Sequence, residues 1–162
     1  MDKRDMFKQV IIALEKNLAE AKSARDRAQQ EANSHVGAME SRYDTWKEEN
    51  QYEVAAQELR IREYESGIGQ IEYVLSSDAM LAASAKVRVG SIVVLLSDVG
   101  EQKSYLLSPA GGGVTAKSAG TPVFVLTTES PLGKQLIGLE VGEECTLQIG
   151  GQKKNYEIKE VH

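Results

Sequence analysis

The chain has 162 residues, of which 41% are hydrophobic and 27% charged, a composition typical of a folded protein rather than a disordered one. No apolar run approaches the length of a membrane span, and the charged N-terminal segment lacks the apolar core of a signal peptide. The single cysteine, Cys145, excludes an intramolecular disulfide and fits a reducing cytosol. We therefore expect a cytoplasmic protein that makes no contact with membranes.

The excess negative charge lies entirely in the first half of the chain. Residues 1–80 carry 11 basic and 16 acidic side chains, a net charge of 11 − 16 = −5, whereas residues 81–162 carry eight of each. A protein whose main role is to bind nucleic acid needs a basic face that neutralises phosphates. The charge distribution therefore disfavours that role and suits insertion into a basic protein channel or the binding of a metal ion.

Two segments of the first half show heptad patterning, which predicts two helices packed as an antiparallel coiled coil. No proline precedes Pro109, so nothing forces a break in either helix. The fold-back is expected near residues 36–46, where Gly37 is able to end the first helix. The repeating positions are Phe7, Ile11, Leu14, Leu18, Ala21, Arg25, Ala28 and Ala32 in one segment, and Val54, Gln57, Ile61, Tyr64, Ile68, Ile71 and Leu75 in the other.

The second half shows the alternation and turn residues of short strands. The pattern predicts strands at residues 87–96, 103–107, 123–127, 146–149 and 155–161, with one short helix from Pro131 to about Leu136. Gly150-Gly151 is expected to form the hairpin turn between the last two strands. An antiparallel sheet with a single helix is an α+β domain. The predicted domains are a helical hairpin at 1–77, a linker at 78–86 and a sheet domain at 87–162.

The stretch from residue 130 to residue 144 is the most informative motif in the chain. Its sequence is SPLGKQLIGLEVGEE, and it lies between two predicted strands. This motif, preceded by a long helical hairpin, resembles the C-terminal signature of the Gre family of bacterial transcript-cleavage factors. Gre factors pair an FKBP-like domain with an N-terminal helical hairpin. The resemblance covers nearly the whole chain in architecture and is strongest in sequence from about residue 89 onwards.

The resemblance implies a function at RNA polymerase. In Gre factors the hairpin enters the secondary channel of the polymerase, and acids at its tip help the polymerase's own centre to cleave backtracked RNA. It implies a monomer that contacts the nascent RNA indirectly, is not itself an enzyme and has no tightly bound cofactor. Polymerase contacts are expected at Tyr43 and Trp46 near the tip. They are also expected at Ser130, Pro131 and Leu132, where an apolar leucine would be displayed beside a rigid proline.

Four acidic residues near the predicted turn are candidates for the chemistry at the tip. Glu40 and Asp44 are four residues apart and therefore project from one face of a helix. Two carboxylates supply part of the oxygen shell of a divalent cation and leave other positions for water and a partner's ligands. Such a cation can activate water for phosphodiester hydrolysis. We expect Glu40 and Asp44 to share Mg²⁺ with the polymerase, and Glu48 and Glu49 are weaker candidates for this role.

The tip departs from the family pattern, which is Gly-Asp-Leu-x-Glu-Asn followed shortly by a tyrosine. An alignment that matches Glu40 and Tyr43 places Gly37 at the position of the aspartate. An alignment on residues 47–50 instead places Trp46 there. Neither alignment recovers both acids of the pattern, although Asp44 could substitute from one helical turn away.

Two other functions therefore stay open. One is a secondary-channel regulator or inhibitor that binds the polymerase without stimulating cleavage. The other is an FKBP-like or coiled-coil scaffold protein. A prolyl isomerase is disfavoured, because the aromatic residues of the C-terminal half, Tyr105, Phe124 and Tyr156, are too few to line a proline pocket.

Overall fold

Two long helices make up the first half of the chain in the computed structural model, which describes residues 1–34 and 40–162. Helix α1 spans Lys3–Ser34 and helix α2 spans Glu40–Ser76. The expected role of Gly37 in ending the first helix lies outside the described residues. Within the described part of the chain, no helix is both long and apolar enough to cross a bilayer.

The heptad positions form the buried face of the hairpin, as the sequence predicts. In α1 the buried seam residues lie at positions 7, 14, 21, 28 and 32. In α2, Ile61 and Ile71 are buried, and so is the polar seam residue Gln57, which is only 7% exposed. The side-chain amide of Gln57 donates a hydrogen bond of 2.7 Å to Glu53 on the same helix. A buried amide is therefore tolerated in the seam because its donor is satisfied.

The chain divides into two compact units, Leu14–Ser66 on the one hand and Met1–Ala13 with Gly67–His162 on the other. In the unit that contains Met1–Ala13 and Gly67–His162, the first turn of α1 forms hydrogen bonds with the end of α2 and with helix α3, Asp78–Leu81. Arg4 donates to the carbonyl of Leu75 at 2.8 Å, and Lys3 donates to the carbonyl of Leu81 at 3.0 Å. The segment predicted as a linker thus contains a short helix. The domain boundaries themselves stay a prediction.

The second half of the chain forms a six-stranded sheet in the order β3-β4-β2-β1-β6-β5. Helix α4, Pro131–Leu136, lies between β4 and β5 in the chain. This arrangement confirms the predicted class, a helical hairpin followed by an α+β domain with one short helix among its strands. The strands are β1 Ile92–Ser97, β2 Gln102–Ser108, β3 Thr115–Ser118, β4 Thr121–Thr127, β5 Glu144–Ile149 and β6 Gln152–Val161.

The predicted hairpin turn between the last two strands is confirmed. Gly150 and Gly151 connect β5 to β6 and have φ angles of 58° and 78°. Positive φ at both central residues is the requirement of the tight two-residue turn that joins antiparallel strands, and glycine adopts it without a steric cost.

The prediction that the sheet is antiparallel throughout is wrong for one pair of strands. β2 pairs with β4 in parallel, from Ser104 opposite Val123 to Ser108 opposite Thr127, whereas the other four pairs are antiparallel. The cause is β3, a short strand that the sequence pattern did not reveal. After β2 the chain crosses to the sheet edge, forms β3 and returns as β4 in the space between, which makes β4 parallel to β2.

The first strand begins later than predicted. β1 starts at Ile92, and residues 87–91 lead into it through a turn at Gly90, whose φ is 88°. Val87 is buried, but its N–H donates to the carbonyl of Leu139 at 2.8 Å rather than to a strand. The apolar run from residue 87 therefore reflects burial in the core and not one continuous strand.

The core of the sheet domain combines residues of α4 with residues of β1, β2, β5 and β6. Leu136 and Ile158 are fully buried in it, and Cys145 is 5% exposed. Burial raises the pKa of the Cys145 thiol, which favours the neutral, unreactive form. The core residues are Val87, Val93, Leu95, Leu107, Leu132, Leu136, Cys145, Leu147 and Ile158.

Candidate functional site

The motif at residues 130–133 starts helix α4, and each of its residues has a structural task. Ser130 is the N-cap: its hydroxyl accepts a hydrogen bond from the N–H of Gly133 at 3.1 Å and donates to the carbonyl of Thr127 at 2.7 Å. Pro131 occupies the first turn of the helix, where the missing N–H has no intrahelical partner to lose. A Cβ on Gly133 would lie 2.0 Å from the carbonyl oxygen of Thr127, so the close approach requires glycine.

Leu132 is a core residue and not a displayed one. It is 9% exposed and packs in the same cluster as Leu136 and Leu107. The expectation that Leu132 projects from the surface beside Pro131 is therefore wrong. Residues four apart share a helix face, so Leu132 and Leu136 both turn toward the sheet. The surface at the start of α4 is formed by exposed Pro131 and half-buried Ser130.

The acidic residues in the first turns of α2 are exposed wherever the structure describes them. α2 begins at Glu40, but the side chains of Glu40 and Tyr43 lie outside the described part. Asp44, Glu48 and Glu49 are exposed, and none of the three forms an ion pair with a described residue. Their carboxylates therefore stay available to an external ligand.

Trp46 lies in the same stretch of α2 and is 43% exposed. Its backbone carbonyl accepts a hydrogen bond of 3.0 Å from the side-chain amide of Asn50. Among the described residues, no group of three or more His, Cys, Asp or Glu side chains is arranged to hold a metal ion. A shared cation at Glu40 and Asp44 therefore remains a proposal, and so does the role of Trp46 as a partner contact.

The three aromatic residues of the C-terminal half come from three strands, and Tyr105 lies near each of the other two. The ring centroids of Tyr105 and Phe124 are 5.9 Å apart, with the rings tilted by 42°. Tyr105 and Tyr156 line a cleft of about 140 Å³ that also includes Leu95. Burial raises the pKa of Tyr105, and the neighbouring Tyr156 adds to the increase. Sequence spacing could not show this grouping, because it depends on the pairing of distant strands.

A contact at the base of the hairpin also has no counterpart among the sequence predictions. The side-chain amide of Gln9 donates from Nε2 to the carbonyl of Lys117 and accepts at Oε1 from the N–H of Lys117, both at 2.9 Å. Lys117 belongs to β3, at one edge of the sheet. Gln9 thus binds the edge in the way a neighbouring strand would. The residues around Gln9 and Lys117 show no pattern that would predict this contact, because the two are 108 positions apart in the chain.

These features define a helical-hairpin protein with an α+β domain whose short helix starts at the SPLG motif. Residues 82–162 match the family model described as "Transcription elongation factor, GreA/GreB, C-term". Transcription elongation factor GreA of Syntrophobacter fumaroxidans is 32% identical over 161 residues, which cover 98% of this chain and 94% of that relative. The chain belongs to the GreA/GreB family of transcription elongation factors.

Other relatives match over shorter stretches or with lower identity. GreA of a Sulfurovum species is 31% identical over 105 residues, 64% of this chain but only 59% of the relative's length. Among solved structures, GreA factor homolog 1 (Gfh1) of Thermus thermophilus gives a TM-score of 0.37 at 20% identity and covers 98% of this chain and 95% of that one. Gfh1 of Thermus aquaticus gives 0.40 at 22% identity, with coverage of 98% and 94%. Membership in the family rests on the sequence matches.

Proposed function

We propose that the protein binds RNA polymerase in the cytoplasm, inserts the acidic end of its hairpin into the secondary channel and promotes cleavage of backtracked RNA. The observation that carries the proposal is the set of exposed carboxylates in the first turns of α2, unpaired with any described residue, in a chain of the GreA/GreB family. A carboxylate that is not engaged in an ion pair keeps its lone pairs for a partner's cation. The protein is not an enzyme in its own right; the hydrolytic centre belongs to the polymerase.

The tip residues would act on Mg²⁺ that the polymerase also holds. Asp44 has the hard carboxylate oxygens that Mg²⁺ prefers, and Glu40 stands one helical turn before it. Two carboxylates fill only part of an octahedral shell, so the free protein should bind the ion poorly. When bound, Mg²⁺ supplies the activation of water for phosphodiester hydrolysis. The task of Glu40 and Asp44 is to supply oxygen ligands to this ion.

Docking on the polymerase would use the surface at the start of α4. Pro131 is exposed there and has a fixed φ, so little conformational freedom is lost when it becomes buried. Leu132 supports this surface from below through the core rather than by direct contact. The acidic hairpin and the balanced charge of the second half suit a protein partner, with the nascent RNA contacted only indirectly.

A second function, binding without stimulation of cleavage, is favoured by one observation. Gly37 stands where the family pattern has aspartate, so one of the two acids of that pattern is absent from this alignment. A factor with fewer tip ligands would still occupy the channel. It would then act as a regulator or inhibitor of elongation.

Isosteric variants at the tip distinguish these two functions. Asp44→Asn or Glu40→Gln removes a charge without changing side-chain size, and we expect RNA cleavage in a stalled, backtracked complex to fall by about 100-fold or more. Affinity for the polymerase should stay within about twofold, because the carboxylates act in the transition state. Glu58→Gln, an exposed acid farther along α2, is the matched control and should leave cleavage unchanged.

A wild-type protein that binds the polymerase and yields no cleavage across a Mg²⁺ titration would establish the regulator without cleavage. A protein that does not bind the polymerase would contradict both proposed functions.

A further inference from the structure

Two basic side chains meet at the C-terminal end of helix α3. The ammonium group of Lys3, in the first turn of α1, donates to the carbonyl of Leu81 at 3.0 Å. The guanidinium of Arg88 donates from Nη2 to the carbonyls of Ala79 at 2.7 Å and Ala82 at 3.1 Å. The last carbonyls of a helix have no intrahelical partner, so they accept such hydrogen bonds readily. Because Leu81 and Ala82 are consecutive, the two cations lie close to each other.

The carboxylates that occur near these cations are bound to other groups. Asp2 caps the start of α1 and accepts from the N–H of Arg4 at 2.9 Å. Asp78 of α3 forms an ion pair with Arg4. Among the residues that the structure describes, neither Lys3 nor Arg88 forms an ion pair. Two positive charges therefore share one helix end without a balancing carboxylate.

One donor of this pair of cations has no acceptor. The Nε–H of Arg88 is buried and forms no hydrogen bond with any described residue. Buried donors are almost always paired, so an exception calls for an explanation. Lys3 lines an open pocket of about 420 Å³, together with Leu81 and His162, and a small molecule can reach its Nζ from there. A negatively charged oxygen attached to this Nζ would supply the missing acceptor and balance the charge of Arg88.

We propose that Lys3 is a carbamate site, at which its amine takes up carbon dioxide and the product binds the guanidinium of Arg88. The neutral Nζ attacks the carbon of CO₂ and an N–C bond forms. One C–O π bond breaks, and its electron pair becomes the negative charge on oxygen. The nitrogen then releases one proton to the solvent. A positive charge is thereby replaced by a negative one, and a carbamate oxygen accepts a charge-assisted hydrogen bond from the Nε–H of Arg88.

The surroundings of Lys3 favour the neutral amine that this reaction requires. Burial, and after it the positive charge of Arg88, lower the pKa of Lys3 below its ordinary value of 10.5. A partly desolvated lysine beside a second cation is a better nucleophile than an ordinary surface lysine. At a fixed pressure of CO₂ the carbamate should increase as the pH rises, because more of the amine is neutral. The other charged groups of the pocket are Asp2, Arg4, His162 and the amino group of Met1.

Chemical trapping of the full chain in ¹³C-labelled bicarbonate tests the site. A trialkyloxonium reagent converts a carbamate into a stable ester, and fragment masses then show which amine carries it. Position decides the result, because an α-amino group also forms carbamates. Lys8 is exposed on the same helix and serves as the internal control. We expect at least about tenfold more label on Lys3 than on Lys8, since only Lys3 has a guanidinium beside it.

Replacement of Arg88 tests how the carbamate is held. Arg88→Met removes the donor and the charge, and we expect the label on Lys3 to fall by about tenfold or more. Arg62→Met, at an exposed position of α2, is the matched control and should leave the label unchanged.

A second measurement does not depend on the folding of the Arg88 variant. Because the carbamate forms its bond to Arg88 only in the folded protein, the urea midpoint of the wild type should rise with the pressure of CO₂. The midpoint of Lys3→Met should not rise under the same conditions, with chloride of equal ionic strength as the reference salt.

Four results would overturn the proposal. The first is the absence of label from Lys3, and the second is equal label on Lys3 and Lys8. The third is unchanged label on Lys3 in a folded Arg88→Met protein. The fourth is a urea midpoint that responds to CO₂ equally in the wild type and in Lys3→Met.

Discussion

At the scale of single residues, each residue of the SPLG motif at 130–133 has a structural role. Ser130 caps the helix, Pro131 fits its first turn, Leu132 fills the core, and Gly133 permits close approach to Thr127. The start of the helix at Pro131 was predicted from sequence, because proline at a helix start follows a local backbone rule. The burial of Leu132 was not, since it depends on which face of a six-residue helix meets the sheet.

Replacement of Gly133 tests the close approach. Gly133→Ala puts a Cβ 2.0 Å from the carbonyl oxygen of Thr127, which forces the helix and the strand end apart. We expect the free energy of unfolding to fall by about 2 kcal/mol or more, measured by urea denaturation. Gly69→Ala is the control, because no atom lies within 4 Å of its new Cβ in helix α2. That variant should be stabilised by about 0.5–1 kcal/mol, and equal effects of the two would refute the explanation.

The buried thiol of Cys145 should make the stability of the fold depend on pH. Its pKa is raised by burial from an ordinary value of 9.0, so folding favours the neutral thiol. This contribution to stability is fully present below the unfolded pKa and is lost as the pH rises through the higher folded pKa. Compared with Cys145→Ser, the wild type should therefore lose stability more steeply above about pH 9. Alkylation of the native thiol should also be at least about tenfold slower than in urea, and equal rates would show that the site is open.

At the scale of elements, the residue pattern within one segment predicted which face of that segment is buried. The pairing of strands that are distant in the chain could not be predicted from such patterns. The heptads of α1 and α2 predicted the buried face of the hairpin, since a helix repeats its own core positions. The short strand β3 and the parallel pairing of β2 with β4 escaped prediction. Nothing in a strand's own sequence states which neighbour it will join.

The contact between α1 and the edge strand β3 can be tested at Gln9. Gln9→Met keeps the length of the side chain and removes both hydrogen bonds to Lys117. We expect a loss of about 1 kcal/mol in unfolding free energy and faster hydrogen exchange at the Lys117 amide. Lys8→Met, at an exposed neighbouring position, should change neither quantity. Unchanged protection of Lys117 in Gln9→Met would contradict the assigned contact.

At the scale of the whole molecule, the charge distribution and the order of helical hairpin and sheet along the chain both agree with an elongation factor of this family. The net charge of −5 in residues 1–80 and the neutral second half disfavour direct nucleic-acid binding. The family matches support the same class of protein. The tip chemistry was harder to predict, because two alignments of residues 36–50 compete and neither recovers both acids of the family pattern.

The most direct test of the proposed function measures RNA cleavage in a stalled, backtracked elongation complex at saturating wild-type protein. We predict that the full chain binds the polymerase and raises the cleavage rate by about tenfold or more in a Mg²⁺-dependent manner. A saturated complex whose cleavage rate equals that of the polymerase alone would contradict the cleavage role, and failure to form the complex would contradict the proposed partner.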